Sequence, residues 1–331
     1  GVIIKSGEAL EKMGKVDTIT FDKTGTLTYG KLQVSDIISF DGKMDSNAIL
    51  RMAASGEAKS EHPLGKAIEN EAINKKIDVI SSSDFKMTTG KGIMAVVAGR
   101  KMLCGNESFL TENGIAVNKE ISDTAARFRN EGKATILVAE ENACIGIIAL
   151  TDMLRPEAEM VIKQLTEMGT KTVLLTGDNK CTADYFASKA GISEVYAELL
   201  PDQKVESIQK LQSDNRKVCM IGDGVNDAPA LKTAEVGVAM GEMGSDIAVD
   251  AADIALMSDD ISKVLYLKRL SNATVNTIKL SITLSMCINF VAIILSVTGI
   301  LNPTTGALVH NAGSCFVVLI AALLYDRKFE K

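Results

Sequence analysis

The spacing of apolar and polar residues changes character three times along this chain. Glu8 to Lys15 is amphipathic, and the β-branched run Val16-Asp17-Thr18-Ile19-Thr20-Phe21 predicts a buried strand that ends at Asp22. From 33 to 148 the pattern predicts an inserted α+β module, with helices over 45–57, 63–75 and 118–131. Short strands punctuated by Gly90, Gly92, Gly99 and Gly105 lie within it, followed by strands over 134–139 and 143–149. After 150, helices over 156–168, 180–190, 202–212 and 228–234 alternate with strands over 172–175, 194–197, 217–221 and 236–240. Apolar strands between amphipathic helices predict an α/β fold built on a doubly wound parallel sheet. The expected division is 1–32 with 149–264 as that sheet domain, 33–148 inserted into it, and 265–331 apart.

The last segment differs in kind. From Leu280 to Tyr325 there is no Asp, Glu, Lys or Arg. Spanning a bilayer takes roughly 20 apolar residues per helix, so the stretch predicts a transmembrane hairpin. Its helices fall at about 278–299 and 305–325, with a turn at Asn302-Pro303-Thr304-Thr305. Lys268, Arg269 and Lys279 flank one end and Arg327, Lys328 and Lys331 the other, which predicts that both ends are cytoplasmic.

Composition narrows the classes. At 331 residues the chain is long enough for two or three domains. Aromatics at 4%, a net charge of -6 and the lack of a basic stretch exclude a nucleic-acid partner. Six scattered cysteines without a Cys-x-x-Cys pair argue against a disulfide scaffold or zinc finger. The chain opens at Gly1 with neither Met nor a signal-peptide pattern, so a piece of a longer protein is expected.

Three predicted strands end in acidic or hydroxyl loops: Asp22, Thr176-Gly177-Asp178 and Gly222-Asp223-Gly224. In an open α/β sheet such loops meet at the carboxyl edge, where ligands bind. The residue types fit phosphoryl transfer. Asp22 is a candidate carboxylate nucleophile, and Asp223 and Asp227 are candidate Mg²⁺ ligands. Thr176 offers a hydroxyl, the glycine loops offer amides, and Lys204 offers a fixed positive charge. Taken singly each is an ordinary turn or cap residue; the combination carries the reading.

Asp22-Lys23-Thr24-Gly25-Thr26-Leu27-Thr28 resembles the phosphorylation motif of P-type ATPases, members of the haloacid-dehalogenase-like superfamily. Thr176-Gly177-Asp178-Asn179 resembles the family's second loop, and Gly222-Asp223-Gly224-Val225-Asn226-Asp227-Ala228-Pro229 its hinge and Mg²⁺ motif. The resemblance implies that Asp22 becomes an aspartyl phosphate in a motif shared with Lys23. It implies that Asp223 and the Thr24 carbonyl bind Mg²⁺ beside Asp22, with Asn226 and Asp227 supporting the metal. Thr176, with Gly177 in the same loop, Asp178 and Lys204 would contact the phosphoryl group. Asp152 and Arg155 match the family's Asp-x-x-Arg.

Within the insertion, Ser60-Glu61-His62-Pro63-Leu64-Gly65 resembles the His-Pro signature of the heavy-metal-transporting branch. That resemblance implies an ATP pocket at Glu57, His62, Gly90-Lys91-Gly92 and Gly105-Asn106, where glycines let base and phosphates approach backbone and His and Glu read the adenine. In the predicted hairpin, His310 and Ser314 share a helix face with Asn311 adjoining. This face is either a candidate site for the transported ion, where imidazole suits Zn, Ni or Co better than Cu(I), or a set of polar groups that hydrogen-bond neighbouring helices. Val317-Val318 are followed by Leu319, Ile320 and Leu323, where many relatives carry an Asn and an Arg.

The resulting expectation is the C-terminal catalytic portion of an ATP-driven heavy-metal exporter in the cell membrane, multi-pass, with cytoplasmic catalytic domains. ATP and Mg²⁺ would be its cofactors. A divalent or monovalent heavy-metal ion, the lipid bilayer and the missing N-terminal part of the pump (actuator domain and earlier helices) would be its partners. Alone it is not expected to transport. The alternatives are a membrane-anchored phosphatase of the same superfamily, which needs no His62 pocket, and a regulatory nucleotide-binding module, which needs no nucleophile.

Overall fold

The computed structural model describes residues 1–42, 44–223, 225–241, 246–258 and 260–324. In chain order its elements begin with β1 (Val2–Ile4), α1 (Gly7–Lys15), β2 (Thr18–Asp22), β3 (Thr28–Ser39), α2 (Ser46–Glu57) and α3 (Pro63–Asn74). There follow β4 (Ser82–Thr88), β5 (Gly92–Val97), β6 (Arg100–Gly105), α4 (Glu107–Glu112), α5 (Lys119–Asn130), β7 (Ala134–Glu140) and β8 (Ala143–Leu154). The alternating part carries α6 (Ala158–Glu167), β9 (Lys171–Leu175), α7 (Lys180–Ala190), β10 (Glu194–Tyr196), α8 (Pro201–Ser213), β11 (Val218–Gly222) and α9 (Ala228–Thr233). The chain closes with β12 (Val236–Ala239), α10 (Asp246–Ala251), β13 (Ile254–Leu256), α11 (Ser262–Val297) and α12 (Pro303–Ala322).

Two units result. The first comprises 1–22, 157–175 and the chain from 200 onward. Its sheet has the strand order β1-β13-β12-β11-β2-β9. β2 lies between β11 and β9 and is parallel to both, with Phe21 opposite Ile221 on one side and Leu174 on the other. A strand flanked on both sides and covered on both faces has no solvent-facing position, which explains why all five residues of β2, Thr18, Thr20 and Asp22 included, are buried. The sheet is mixed rather than purely parallel, because β1 joins its edge antiparallel to β13.

The predicted hairpin begins earlier than its apolar signal. α11 is a single helix of 36 residues. Its N-terminal half buries Val264, Leu265, Leu267, Lys268 and Ser271, and its C-terminal half exposes a continuous apolar surface. α11 and α12 are long and apolar enough to cross a membrane. The predicted terminal residue Tyr325 and the basic residues Arg327, Lys328 and Lys331 lie outside the described residues.

The second unit comprises 23–156 and 176–199. An antiparallel sheet of order β3-β8-β7-β6-β5-β4 separates two cores. On one face α2 and α3 pack Ile49, Leu50, Ala53 and Ile68 against Ile93, Ala95, Met102 and Cys104. On the other, Phe109, Leu110, Ile121 and Phe128 pack against Leu103, Leu137 and Ile147. Neighbours on one strand, such as Met102 and Leu103, enter opposite cores, as the two-residue period of a strand requires. The sheet extends past both limits expected from sequence, starting at Thr28 and ending at Leu154.

Candidate active site

Asp22 is the last residue of β2, so its side chain stands at the carboxyl edge of the first unit's sheet. Strand β11 ends beside it at Gly222, followed by Asp223 and a single 3₁₀ turn, Val225–Asp227. Carboxylate oxygens of Asp22, Asp223 and Asp227 all lie within 4.8 Å of one another. Gly222 is required for this approach: a Cβ there would come within 2.9 Å of the Asp227 Oδ2.

Pro201 opens α8 at its first turn, where a missing N–H costs nothing, and Lys204 follows on the buried face. Its Nζ donates to Asp22 Oδ1 at 2.5 Å and to Asp227 Oδ1 at 2.7 Å. Burial and the charge of Asp227 push the Asp22 carboxyl up to about 7, against the opposing pull of Lys204. For Lys204, burial favours the neutral amine, yet Asp22 and Asp227 outweigh it and the pKa rises. Three crowded carboxylates with one ammonium remain short of positive charge. A hard dication with oxygen preference, such as Mg²⁺, fits this donor set.

The turn after Asp22 belongs to the second unit and is wound from within it. Lys23–Leu27 forms a wide turn with Gly25 at φ 75°. The buried Arg155 holds it by donating Nε to the Thr26 carbonyl at 2.9 Å and Nη2 to the Gly25 carbonyl at 3.0 Å. Its guanidinium lies 4.8 Å from the Tyr29 ring centroid. Thr28 donates its hydroxyl to Asp152 Oδ2 at 2.5 Å. The Asp-x-x-Arg match therefore acts on backbone, a role invisible in the sequence because it depends on strand β8 returning beside the turn. Lys23 pairs with Asp178 at 2.7 Å and lies over the Phe186 ring. In the loop of Asp178, the Thr176 hydroxyl accepts from the Asp178 amide at 3.2 Å, and the Leu199 carbonyl lies against Gly177. Thr24 sits in the extended part of the turn. Asn226 is exposed in the 3₁₀ turn.

The predicted nucleotide-pocket residues line one cavity of about 490 Å³ in the second unit: Glu57, His62, Gly90-Lys91-Gly92 and Gly105-Asn106. His62 caps α3, accepting the Leu64 amide on Nδ1 at 3.2 Å. An acceptor at Nδ1 places the proton of the neutral ring on Nε2, which leaves that nitrogen as the ring's donor. Glu57 is buried. Burial raises its pKa, while a hydrogen bond from Ser60 works the other way. Gly65 leaves room for it, since a Cβ there would lie 2.6 Å from the Glu57 Oε2.

The glycines divide into two kinds. Gly90 is an open turn at φ 73°. Gly92 and Gly105 face each other across β5 and β6, and a Cβ on Gly92 would stand 2.7 Å from the Gly105 Cα. Their close approach serves strand pairing and the seat of Phe109 as well as the cavity wall. Asn106 fastens this corner, capping α4 through the Phe109 amide at 2.9 Å and donating to the Gly90 carbonyl at 3.3 Å. The cavity's size and its mix of apolar walls with a few polar groups fit a nucleotide.

The predicted membrane residues lie on α12. His310 Nδ1 is 3.1 Å from Asn289 Oδ1 on α11, so Nδ1 is the donor there. The Ser314 hydroxyl donates to the His310 carbonyl one turn back at 3.0 Å. Asn311 is exposed. Gly313 seats the two helices closely, since a Cβ there would lie 2.9 Å from Ile288.

A family model for haloacid dehalogenase-like hydrolases matches residues 16–235. The whole chain is 36% identical over 331 residues to a zinc-exporting P-type ATPase of Mycobacterium marinum, spanning 45% of that protein. It is 37% identical over 330 residues to a copper-exporting P-type ATPase of Staphylococcus aureus, spanning 40% of it. The chain thus spans less than half the length of these relatives. A crystal structure of a zinc-transporting PIB-type ATPase matches 98% of this chain and 52% of its own, at 33% identity and a TM-score of 0.91. The chain belongs to the haloacid dehalogenase-like hydrolases, and throughout its length it is similar to metal-exporting P-type ATPases.

Proposed function

We propose that this chain is the phosphorylating and nucleotide-binding part of an ATP-driven exporter of a transition-metal cation. The observation that carries the reading is Asp22 held at a sheet edge by Lys204 beside Asp223 and Asp227. An Asp22 oxygen attacks the γ-phosphorus of ATP, the bond to the ADP oxygen breaks, and an acyl phosphate forms. Lys204 supplies positive charge to the nucleophile and to the oxygens that gather charge at phosphorus. Arg155 and Asp152 hold the turn that follows Asp22. Asp22, Asp223, Asp227 and the Thr24 carbonyl are the groups to hold Mg²⁺, which when bound neutralises phosphate charge. Thr176, Gly177, Asp178 and Asn226 are proposed to support the phosphoryl group and the metal site, as the motif resemblance implies.

In the nucleotide cavity, His62 donates from Nε2 and Glu57 accepts, a complementary pair for the edge of adenine. α11 and α12 are proposed to cross the cell membrane with the catalytic units on the cytoplasmic side. His310, with Asn311 and Ser314, is proposed to line the path of the transported ion through its Nε2. The Asn289 bond favours a second reading of the same residue, as a fastener between the two helices.

Calorimetric titration with ATP and Mg²⁺ separates this function from a phosphatase of the same family. Saturable binding is expected, weakened about tenfold, or about 1.4 kcal/mol, by His62→Gln. Absence of ATP binding, with turnover of a simple phosphomonoester, would support the phosphatase instead.

A further inference from the structure

We infer that Lys268 is a positioning residue that fastens the membrane helix α11 to the strand bearing Asp22, an inference that rests on the phosphorylation reading above. Lys268 is 3% exposed, although it belongs to a residue type seldom buried. Its ammonium donates to the Met13 carbonyl at 3.0 Å and to the Val16 carbonyl at 2.6 Å. These oxygens end α1, where a helix leaves carbonyls without partners and carries partial negative charge. The same junction is closed by the Val16 amide bonding back to Lys12 and Met13.

The backbones are in contact as well. A Cβ on Gly14 would lie 2.6 Å from the Ser271 carbonyl oxygen on α11. Arg269, the next residue on α11, donates to Gln164 of α6 at 2.9 Å.

Apolar packing alone does not require this lysine, because Val264, Leu265, Leu267 and Val275 already bury apolar surface on α11. What two directed hydrogen bonds add is register: sliding α11 along α1 breaks both. The contact is also well placed. Val16 is followed within two residues by β2, whose last residue is Asp22. In the other direction α11 continues unbroken from Lys268 to Val297, rising about 1.5 Å per residue. A displacement at the phosphorylated strand therefore reaches the apolar end of α11 through Lys268 instead of being lost in a slipping helix contact.

The test uses the full chain in detergent micelles, with Cys144→Ser, Cys181→Ser and Cys315→Ser so that a spin label reports from Cys287 on α11. The probe is Mg²⁺ with beryllium fluoride, which mimics an acyl phosphate on a carboxylate. In the parent, the probe is expected to bind and to change the label's spectrum. In Lys268→Met, binding should stay close to the parent's while the spectral response falls several-fold, and Lys268→Arg should restore it. Gly14→Ala, which wedges α1 from α11, gives an independent variant should Lys268→Met fold poorly, and its response should fall likewise. An equal response in the parent and the variants overturns the inference alone. Failure of the probe to bind the parent counts against the phosphorylation reading and takes this inference with it.

Discussion

Lys204 stands where two buried carboxylates would otherwise repel each other. Removing one member of a buried ionic cluster costs about 3–5 kcal/mol, because the partners are left charged and unpaired. Lys204→Met is therefore expected to lower the urea midpoint of the first unit in EDTA, and Mg²⁺ should recover part of the loss by replacing the missing charge. A midpoint unchanged by the substitution, with or without Mg²⁺, would contradict this account. Glu57 gives a pH signature. Burial raises its pKa above 4.5, so the folded chain holds that proton more tightly than the unfolded chain. Its contribution to stability is complete below the unfolded pKa and declines as pH climbs through the raised value. Glu57→Gln should flatten that decline in urea titrations from acid to neutral pH; an unaltered slope would assign it to other groups. Asp22, Asp223 and Asp227 were legible in the sequence because strand ends and loop chemistry single them out, and Lys204 because it follows Pro201 at the start of a helix. Arg155, Gly65 and Gly222 were not legible as site-builders, because each acts on a group brought near only by the fold.

At the scale of elements, periodicity located nearly every helix and strand between 45 and 240, since each has one face in a core. It missed β1 and β13, three residues each, which are too short to show a period. The helix that carries the charge-free stretch starts at Ser262, ahead of the stretch itself. Freedom from charge marks the part of α11 suited to lipid, whereas its first half carries charged and polar residues and packs on α1 and α6. The glycines of the nucleotide cavity were legible by position but only partly by reason. Gly92→Ala forces backbone atoms apart between β5 and β6 and is expected to cost about 1–3 kcal/mol, with ATP affinity lost in parallel. Gly90→Ala meets no atom and should cost about 1–2 kcal/mol through its positive φ alone. Thermal melts and ATP titrations of the two variants check this order; equal effects would mean that the β5–β6 contact is not what Gly92 protects.

For the whole molecule, the sequence motifs, the carboxylate cluster and the similarity to metal-exporting P-type ATPases converge on one chemical event at Asp22. Similar relatives export zinc in one case and copper in another. The event itself can be observed directly. The chain is incubated with Mg²⁺ and ATP labelled in its γ-phosphate, quenched in acid and treated with hydroxylamine, which cleaves acyl phosphates. The account predicts an acid-stable label released by hydroxylamine, mapping to Asp22 and absent from Asp22→Asn. A label that resists hydroxylamine, or that persists in Asp22→Asn, would contradict it.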